Sequence, residues 1–252
     1  MKTVGSSPGG EAAAEADVGR NLAHVLSEIK GAVARAGRPD GCVRLVAVSK
    51  TQPSTAIALA AAAGQADFGE NYAQEAAGKI AEFPRLRFHF IGGLQSNKAK
   101  LVVGSTCLIH SVDRPRLAQE ISALAVGLGR PQEALVQVRI GDEETKSGAS
   151  LEQALDMVRR PLPGLRWRGV MCLPPVVTEE ATGRGFFRRT QAAFEKLRAA
   201  LPDGRESFDE LSMGTSHDFT WAIAEGATLV RVGTAIFGAR PSALSESSPP
   251  DR

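Results

Sequence analysis

Eight short apolar runs, separated by segments of helical spacing, constrain this chain more than any other feature. They cover residues 43–49, 66–69, 87–91, 107–110, 135–140, 168–173, 210–212 and 229–232. Most are continuous rather than alternating, the pattern of parallel strands covered on both faces. Between them, Pro53 stands where a helix begins, ahead of an alanine-rich stretch. Asp113 and Pro115 open another helix, with Leu117, Ile121, Leu124 and Leu128 at helical spacing. Leu151, Leu155 and Val158 repeat the pattern, and Phe187, Ala193, Phe194 and Leu197 follow it less regularly. A further helix over 15–35 precedes the first run, with Leu22, Val25, Leu26, Ile29 and Val33 on one stripe. Eight strand–helix units predict an α/β fold, a single-domain (β/α)8 TIM barrel over 13–240 with an additional N-terminal helix. A flavodoxin-like sheet needs fewer strands and fits less well. The ends, 1–12 and 241–252, are expected to be mobile, because they are rich in Gly, Ser and Pro.

Composition narrows the partners. The net charge is +2 and the basic residues are spread along the chain, so no nucleic-acid partner is expected. The cluster over 184–189 reads as a solvated helix face. No apolar run reaches the length of a membrane span. The first residues carry a lysine without an apolar signal core, so a cytoplasmic setting is expected. Cys42, Cys107 and Cys172 are widely spaced and odd in number, which gives neither a disulfide framework nor a metal spacing. A monomer is expected.

In a (β/α)8 barrel the chemistry lies at the carboxyl ends of the strands. That rule selects Lys50, Glu70-Asn71, Gly92-Gly93, His110-Ser111, Met171-Cys172, Gly214–Ser216 and Gly233-Thr234. Lys50 ends the first run, where it either snorkels to solvent or acts as a nucleophilic amine. Ser216 and Thr234 are helix N-cap types, and hydroxyls and glycines after the seventh and eighth strands also suit a phosphate. A reactive lysine opposite a phosphate cradle points to pyridoxal 5′-phosphate (PLP). Arg231 alternates with Val230 and Val232 and so faces into the barrel, where a guanidinium needs a partner. That partner is either an internal carboxylate such as Glu70 or the ring nitrogen of PLP. His89 alternates with Phe88 and Phe90 and faces inward, as a satisfied core histidine or as part of a site.

The segments 45–53, 67–75, 88–98, 142–148 and 211–238 resemble, in order, those of the pyridoxal phosphate homeostasis protein family. The resemblance runs from Val43 to Arg240. It implies a fold-type III PLP-binding barrel, like the N-terminal domain of alanine racemase. It implies that Lys50 holds PLP as a Schiff base and that Ser216, Gly233 and Thr234 contact the phosphate. It places Arg231 near the pyridine nitrogen, and Asn71 and His89 around the cofactor. It implies buffering and delivery of PLP, with PLP-dependent apoenzymes as recipients and no robust turnover. Gln52 stands where many members carry a second lysine, which leaves Lys146 as another candidate for transfer. The rival reading is a PLP-dependent amino-acid racemase, which needs a second base that relatives take from a further domain; the only tyrosine here is Tyr72. A phosphosugar aldolase using Lys50 lacks an evident acid/base set.

Overall fold

The computed structural model describes residues 8–141 and 147–238, with side chains from Asp17 onward. Most of both expected mobile ends, and Lys146, lie outside the described residues. The strands are β1 (Arg44–Val48), β2 (Asp67–Glu70), β3 (Arg87–Phe90), β4 (Leu108–Val112), β5 (Gln132–Val138), β6 (Leu165–Cys172), β7 (Glu210–Ser212) and β8 (Leu229–Val232). They close in sequence order into a barrel, with β8 pairing parallel to β1. The (β/α)8 expectation therefore holds. The register sets Val46 beside Arg231 and Gly69 beside His89.

The helices are α1 (Pro8–Arg35), α2 (Ser54–Ala62), α3 (Ala73–Glu82), α4 (Pro115–Gly127), α5 (Leu151–Arg159), α6 (Glu180–Ala200), α7 (Phe219–Ala224) and α8 (Thr234–Phe237). After β3 the connection is a 3-10 turn, Ser96–Leu101, in place of a full helix. α1 starts earlier than the expected 15 and buries Val18, Leu22, Val25, Ile29 and Val33. Leu26 lies off that stripe and is exposed, as is Leu128 at the end of α4. α1 is tied to the last barrel unit by Asn21 Nδ2, which donates to the Ile236 carbonyl at 3.1 Å. Among the described residues, no helix is long and apolar enough to cross a membrane.

β5 and β6 begin at Gln132 and Leu165, ahead of the apolar runs at 135 and 168. Two early residues of β5 are polar for local reasons: Arg168 Nη1 of β6 donates to both Glu133 carboxylate oxygens at 2.9 Å, and Gln132 accepts from the Gly104 N–H at 2.8 Å and donates to the Thr106 carbonyl at 3.2 Å. The apolar core has two parts. A large one lies between strands and helices. A small one inside the barrel holds Val46, Leu108, Leu135, Met171 and Leu229. The barrel is thus filled by side chains and opens only at its two ends.

One irregularity shapes the sheet. Ala134 pairs with Trp167 and Leu135 with Gly169, so Arg168 is the extra residue of a bulge. Gly169 has φ 152°, and a Cβ there would sit 1.7 Å from the Glu210 carbonyl oxygen. No side chain fits between β6 and β7 at that point. Gly169→Ala is expected to cost more than about 3 kcal/mol, through steric overlap and forced backbone conformation. Urea unfolding followed by circular dichroism measures it; a loss below about 1 kcal/mol, the usual size for a point change, would show that the strands part easily there.

Candidate functional site

A cavity of about 250 Å³ opens at the carboxyl ends of the strands. That is just below the usual range of small-molecule pockets, about 300–1,000 Å³. Val48 and Lys50 line it from β1, Asn71 from β2, Ile91 from β3 and Leu173 from β6. Thr215, Ser216 and His217 come from the loop after β7, and Arg231, Gly233 and Thr234 from β8 and its end. A larger groove of about 560 Å³, with Pro131, Pro163 and Leu165 in its lining, lies toward the amino ends of β5 and β6. Barrel chemistry does not sit at that end.

Of the seven residues expected at the site, the structure brings six to this cavity: Lys50, Asn71, Ser216, Arg231, Gly233 and Thr234. It does not bring His89. That ring is buried in the barrel interior, between Asp67 and His110. Period-2 geometry turned His89 inward correctly, but its layer lies below the mouth; the β3 residue that reaches the cavity is Ile91.

The backbone around Lys50 is held from behind. Thr51 is the one non-glycine with positive φ among the described residues, at 60°. A β-branched residue pays for that conformation in strain, so neighbours must hold it. The Thr51 N–H donates to Glu75 Oε1 at 2.6 Å. Lys79 Nζ donates to the Ser49 carbonyl at 2.6 Å, to Glu70 Oε1 at 2.8 Å and to Glu75 Oε1 at 2.6 Å. Ser49 Oγ–H donates to Glu70 Oε1 at 2.6 Å. Lys79 and both carboxylates thus grip the residues on either side of Lys50. Burial pushes the Glu70 carboxyl up, against hydrogen bonds from Lys79 and Ser49 that pull it down. Glu70 therefore faces α3 and is not the partner of Arg231.

At the ends of β7 and β8, the strand next to β1, three polar groups converge. Thr234 Oγ1–H donates to Ser216 Oγ at 3.2 Å, and the Gly233 N–H donates to the same oxygen at 3.3 Å. Neither hydroxyl caps a helix: the N-cap positions of α7 and α8 are Asp218 and Gly233, without side-chain caps. Gly214 has φ 90°, and a Cβ there would meet Ala222 Cβ at 2.7 Å, so the loop after β7 packs onto α7 only with glycine.

Arg231 enters the cavity floor with 5% of its surface exposed. Burial pulls its pKa down, although it remains a cation. Nη1 donates to Ser212 Oγ at 2.6 Å and Nη2 to the Cys172 carbonyl at 2.9 Å. Cys172 is otherwise a buried apolar residue, its thiol pushed up to about 11 by burial.

At the other end of the barrel a second cavity, about 350 Å³, is ringed by charges. Arg44 pairs with Glu210, and Arg168 with Glu133. Arg87 pairs with Asp67, which also takes a hydrogen bond from His89. Burial would raise the Asp67 carboxyl, but the hydrogen bonds from His89 and Arg87 prevail and hold it down at about 2.

The family model described as "Alanine racemase, N-terminal domain" matches residues 21–241. The pyridoxal phosphate homeostasis protein of Pseudomonas aeruginosa is 44% identical over 227 residues, covering 88% of this chain and 96% of its own. That of Pasteurella multocida is 42% identical over 227 residues, covering 88% and 97%. The structure of PipY from Synechococcus elongatus with PLP bound superposes with a TM-score of 0.75 at 36% identity, covering 88% of this chain and 100% of that one. The chain belongs to the pyridoxal phosphate homeostasis protein family, on the alanine racemase N-terminal domain fold.

Lys79, Glu75 and Ser212 were not among the expected site residues. Lys79 occurs in α3 among alanines and polar residues and reads as a surface lysine; only its burial separates it from one. Lys79→Met leaves the buried Glu70 carboxylate without its cation, beside the half-buried Glu75. It is expected to cost about 3–5 kcal/mol near neutral pH, the size found when one partner of a buried ion pair is removed. Glu70 takes up a proton more readily folded than unfolded, so the variant should regain stability as the pH is lowered. Urea titrations of both proteins at neutral and mildly acidic pH measure this, and a pH-independent difference would count against a charge-based role.

Proposed function

We propose that this chain binds PLP as a Schiff base on Lys50 and serves cellular PLP homeostasis by buffering and delivering the cofactor, without robust turnover of its own. The observation that carries this reading is one small cavity. It joins a strand-end lysine, a pair of convergent hydroxyls, a buried guanidinium and a polar atom that lacks a partner. That atom is Asn71 Oδ1, buried and unbonded in the protein alone. A buried amide oxygen without a donor is costly, and a ligand hydroxyl or N–H in the cavity satisfies it. The donor set therefore fits PLP: an amine for its aldehyde, donors for its phosphate and a guanidinium for its ring nitrogen. The PLP-bound relative PipY and the names of the homeostasis relatives support the same reading.

PLP supplies an aldehyde that an amine can capture and, when its ring nitrogen is protonated, a sink for electrons. Arg231 donates only, so it hydrogen-bonds a neutral ring nitrogen and repels a proton there. That disfavours the electron sink and favours storage of the intact cofactor. Two-base racemisation also needs an acid/base on each face of a substrate. Tyr72 is 56% exposed and lines a neighbouring depression, not the Lys50 cavity. We therefore hold PLP-dependent apoenzymes, rather than amino acids, to be the partners. We read the protein as a cytoplasmic monomer that acts on neither nucleic acid nor membrane. Transfer through a lysine two places after Lys50 is not open to this chain, because Gln52 stands there.

Two measurements test the proposal. Borohydride treatment of the PLP-loaded protein is expected to fix a pyridoxyl group on the peptide containing Lys50, and Lys50→Ala is expected to abolish it. Recovery of the label mainly on another lysine would reject the assignment. The phosphate contacts are tested by comparing PLP with pyridoxal. Each charge-assisted hydrogen bond from Ser216 or Thr234 contributes about 1.5–3 kcal/mol, so each alanine variant should weaken PLP binding roughly tenfold or more. Neither variant should affect pyridoxal. Equal affinity for the two ligands in the wild type would remove the cradle.

A further inference from the structure

Arg231 stands at one end of an unbroken line of hydrogen bonds through the barrel. Its Nη1 lies 2.6 Å from Ser212 Oγ. Ser212 Oγ lies 2.9 Å from His110 Nδ1. His110 Nε2 lies 2.9 Å from His89 Nδ1, the two rings meeting edge to face. His89 Nε2 lies 2.9 Å from Asp67 Oδ1. Ser212 and His110 are fully buried, and His89 is 2% exposed. The line links the floor of the Lys50 cavity to the charged cavity at the far end, through side chains of five strands: β8, β7, β4, β3 and β2.

Chemistry gives the line a direction. A guanidinium only donates, so Ser212 Oγ accepts from Arg231. A carboxylate only accepts, so His89 Nε2 carries a hydrogen and donates to Asp67. Burial, together with the nearby positive charges of Arg231 and Arg44, holds the pKa of His110 well below its ordinary value, so its ring is neutral and carries one N–H. With the Ser212 hydroxyl donating to His110 Nδ1, that N–H lies on Nε2 and donates to His89 Nδ1. Every donor then points from Arg231 toward Asp67, with a cation at the head and an anion at the tail. If instead His89 carries a second proton, His110 takes the opposite tautomer, and Ser212 accepts from both sides. Its hydroxyl hydrogen is then left over. The line has two discrete arrangements, and the charge at Asp67 and its neighbours Arg87 and Arg44 biases which is held.

We propose that Ser212, His110, His89 and Asp67 are positioning residues that fix the guanidinium of Arg231 at the cavity floor as one aligned relay. The inference extends the reading of Arg231 as the partner of the PLP ring nitrogen, and so rests on it for its bearing on the cofactor. The relay itself belongs to the protein alone.

The test uses Asp67→Asn, which removes the terminal anion and can present an N–H where Asp67 only accepts. Asp67 touches neither the cofactor cavity nor Arg231. Nitrogen-15 NMR of histidine- and arginine-labelled protein without cofactor reads the relay directly. In the wild type His110 should be neutral with its hydrogen on Nε2. Asp67→Asn should shift the His110 ring nitrogens toward the other tautomer and move the Arg231 side-chain resonances. In the loaded protein the same variant should move the ring-nitrogen resonance of labelled PLP and weaken PLP binding about threefold or more, while borohydride still labels Lys50. If Asp67→Asn does not fold, Ser212→Ala cuts the line at the head and should release the tautomer preference of His110. Unchanged His110 and Arg231 signals in a folded variant would overturn the proposal, as would a wild-type His110 with its hydrogen on Nδ1. Failure of the wild type to take up PLP at all would sink the proposed function instead, and the cofactor-free spectra would still decide the relay.

Discussion

A guanidinium inside a closed barrel is the constraint around which the interior is arranged. Arg231 lies in the last strand, beside Val46 of the first, and among the described residues its hydrogen bonds go to a hydroxyl and a carbonyl. An unpaired buried cation is expensive, and neutral acceptors offset only part of that cost. The two neutral acceptors answer the problem locally. The aligned dipoles of Ser212, His110 and His89, ending on the Asp67 carboxylate, answer it at a distance. In a low-dielectric interior such an alignment stabilises the cation more than it would in water. The same arrangement leaves the outward edge of the guanidinium facing the cavity, which lets a neutral acceptor of a ligand complete its shell.

Lys50 is held by a different device. Nothing in its own strand dictates where its side chain goes. The direction comes from the residues on either side: Ser49 and Thr51 are bonded to a buried cluster of Lys79, Glu70 and Glu75 on the outer face of the sheet. That cluster carries the strain of Thr51. One polar cluster behind the sheet thus sets the nucleophile, and another line inside the barrel sets the guanidinium. Between them the loop after β7 and the end of β8 supply the hydroxyls. The two clusters share no side chain, so a change in one should leave the other largely intact.

The fold was legible because its evidence is local and repeated. Continuous apolar runs announce strands covered on both faces, and eight of them in alternation with helical spacing leave few architectures. What the runs could not show was where polar residues extend a strand. Gln132 and Glu133 belong to β5, and their polarity is explained only by partners distant in sequence: the backbone of Gly104 and Thr106 for Gln132, and Arg168 on the neighbouring β6 for Glu133. The 3-10 connection after β3 was equally hidden, since its composition is that of a short helix. The site was legible where it follows from strand ends, as for Lys50, Asn71 and the loops after β7 and β8. It was not legible where it follows from depth. His89 and Ile91 both point inward on β3, and alternation cannot say which of them reaches the mouth. Ser212 and Lys79 carry no signal of their own, because each acquires its role from partners distant in sequence: His110 for one, Ser49 for the other.

The distribution of unmet polar groups bears on what the cavity is for. Among the described residues, four buried side-chain atoms lack a hydrogen-bond partner: Glu70 Oε2, Asn71 Oδ1, Ser111 Oγ and Trp167 Nε1. Only Asn71 lines the Lys50 cavity. At the far end of the barrel the arginines and carboxylates satisfy one another, so that cavity has its charges already matched. The near cavity is the opposite case. It holds an amide oxygen without a donor, hydroxyls bonded mainly to each other, and a cation held by neutral acceptors. Polar groups left in that state cost stability in the protein alone, and the cost is returned when a ligand of matching chemistry arrives. A site of this kind binds tightly without any need to stabilise a transition state. Under the proposed function, that is what a reservoir for a reactive cofactor requires: strong contacts to the phosphate and ring, with the ring nitrogen kept from the proton that would turn the cofactor into a catalyst.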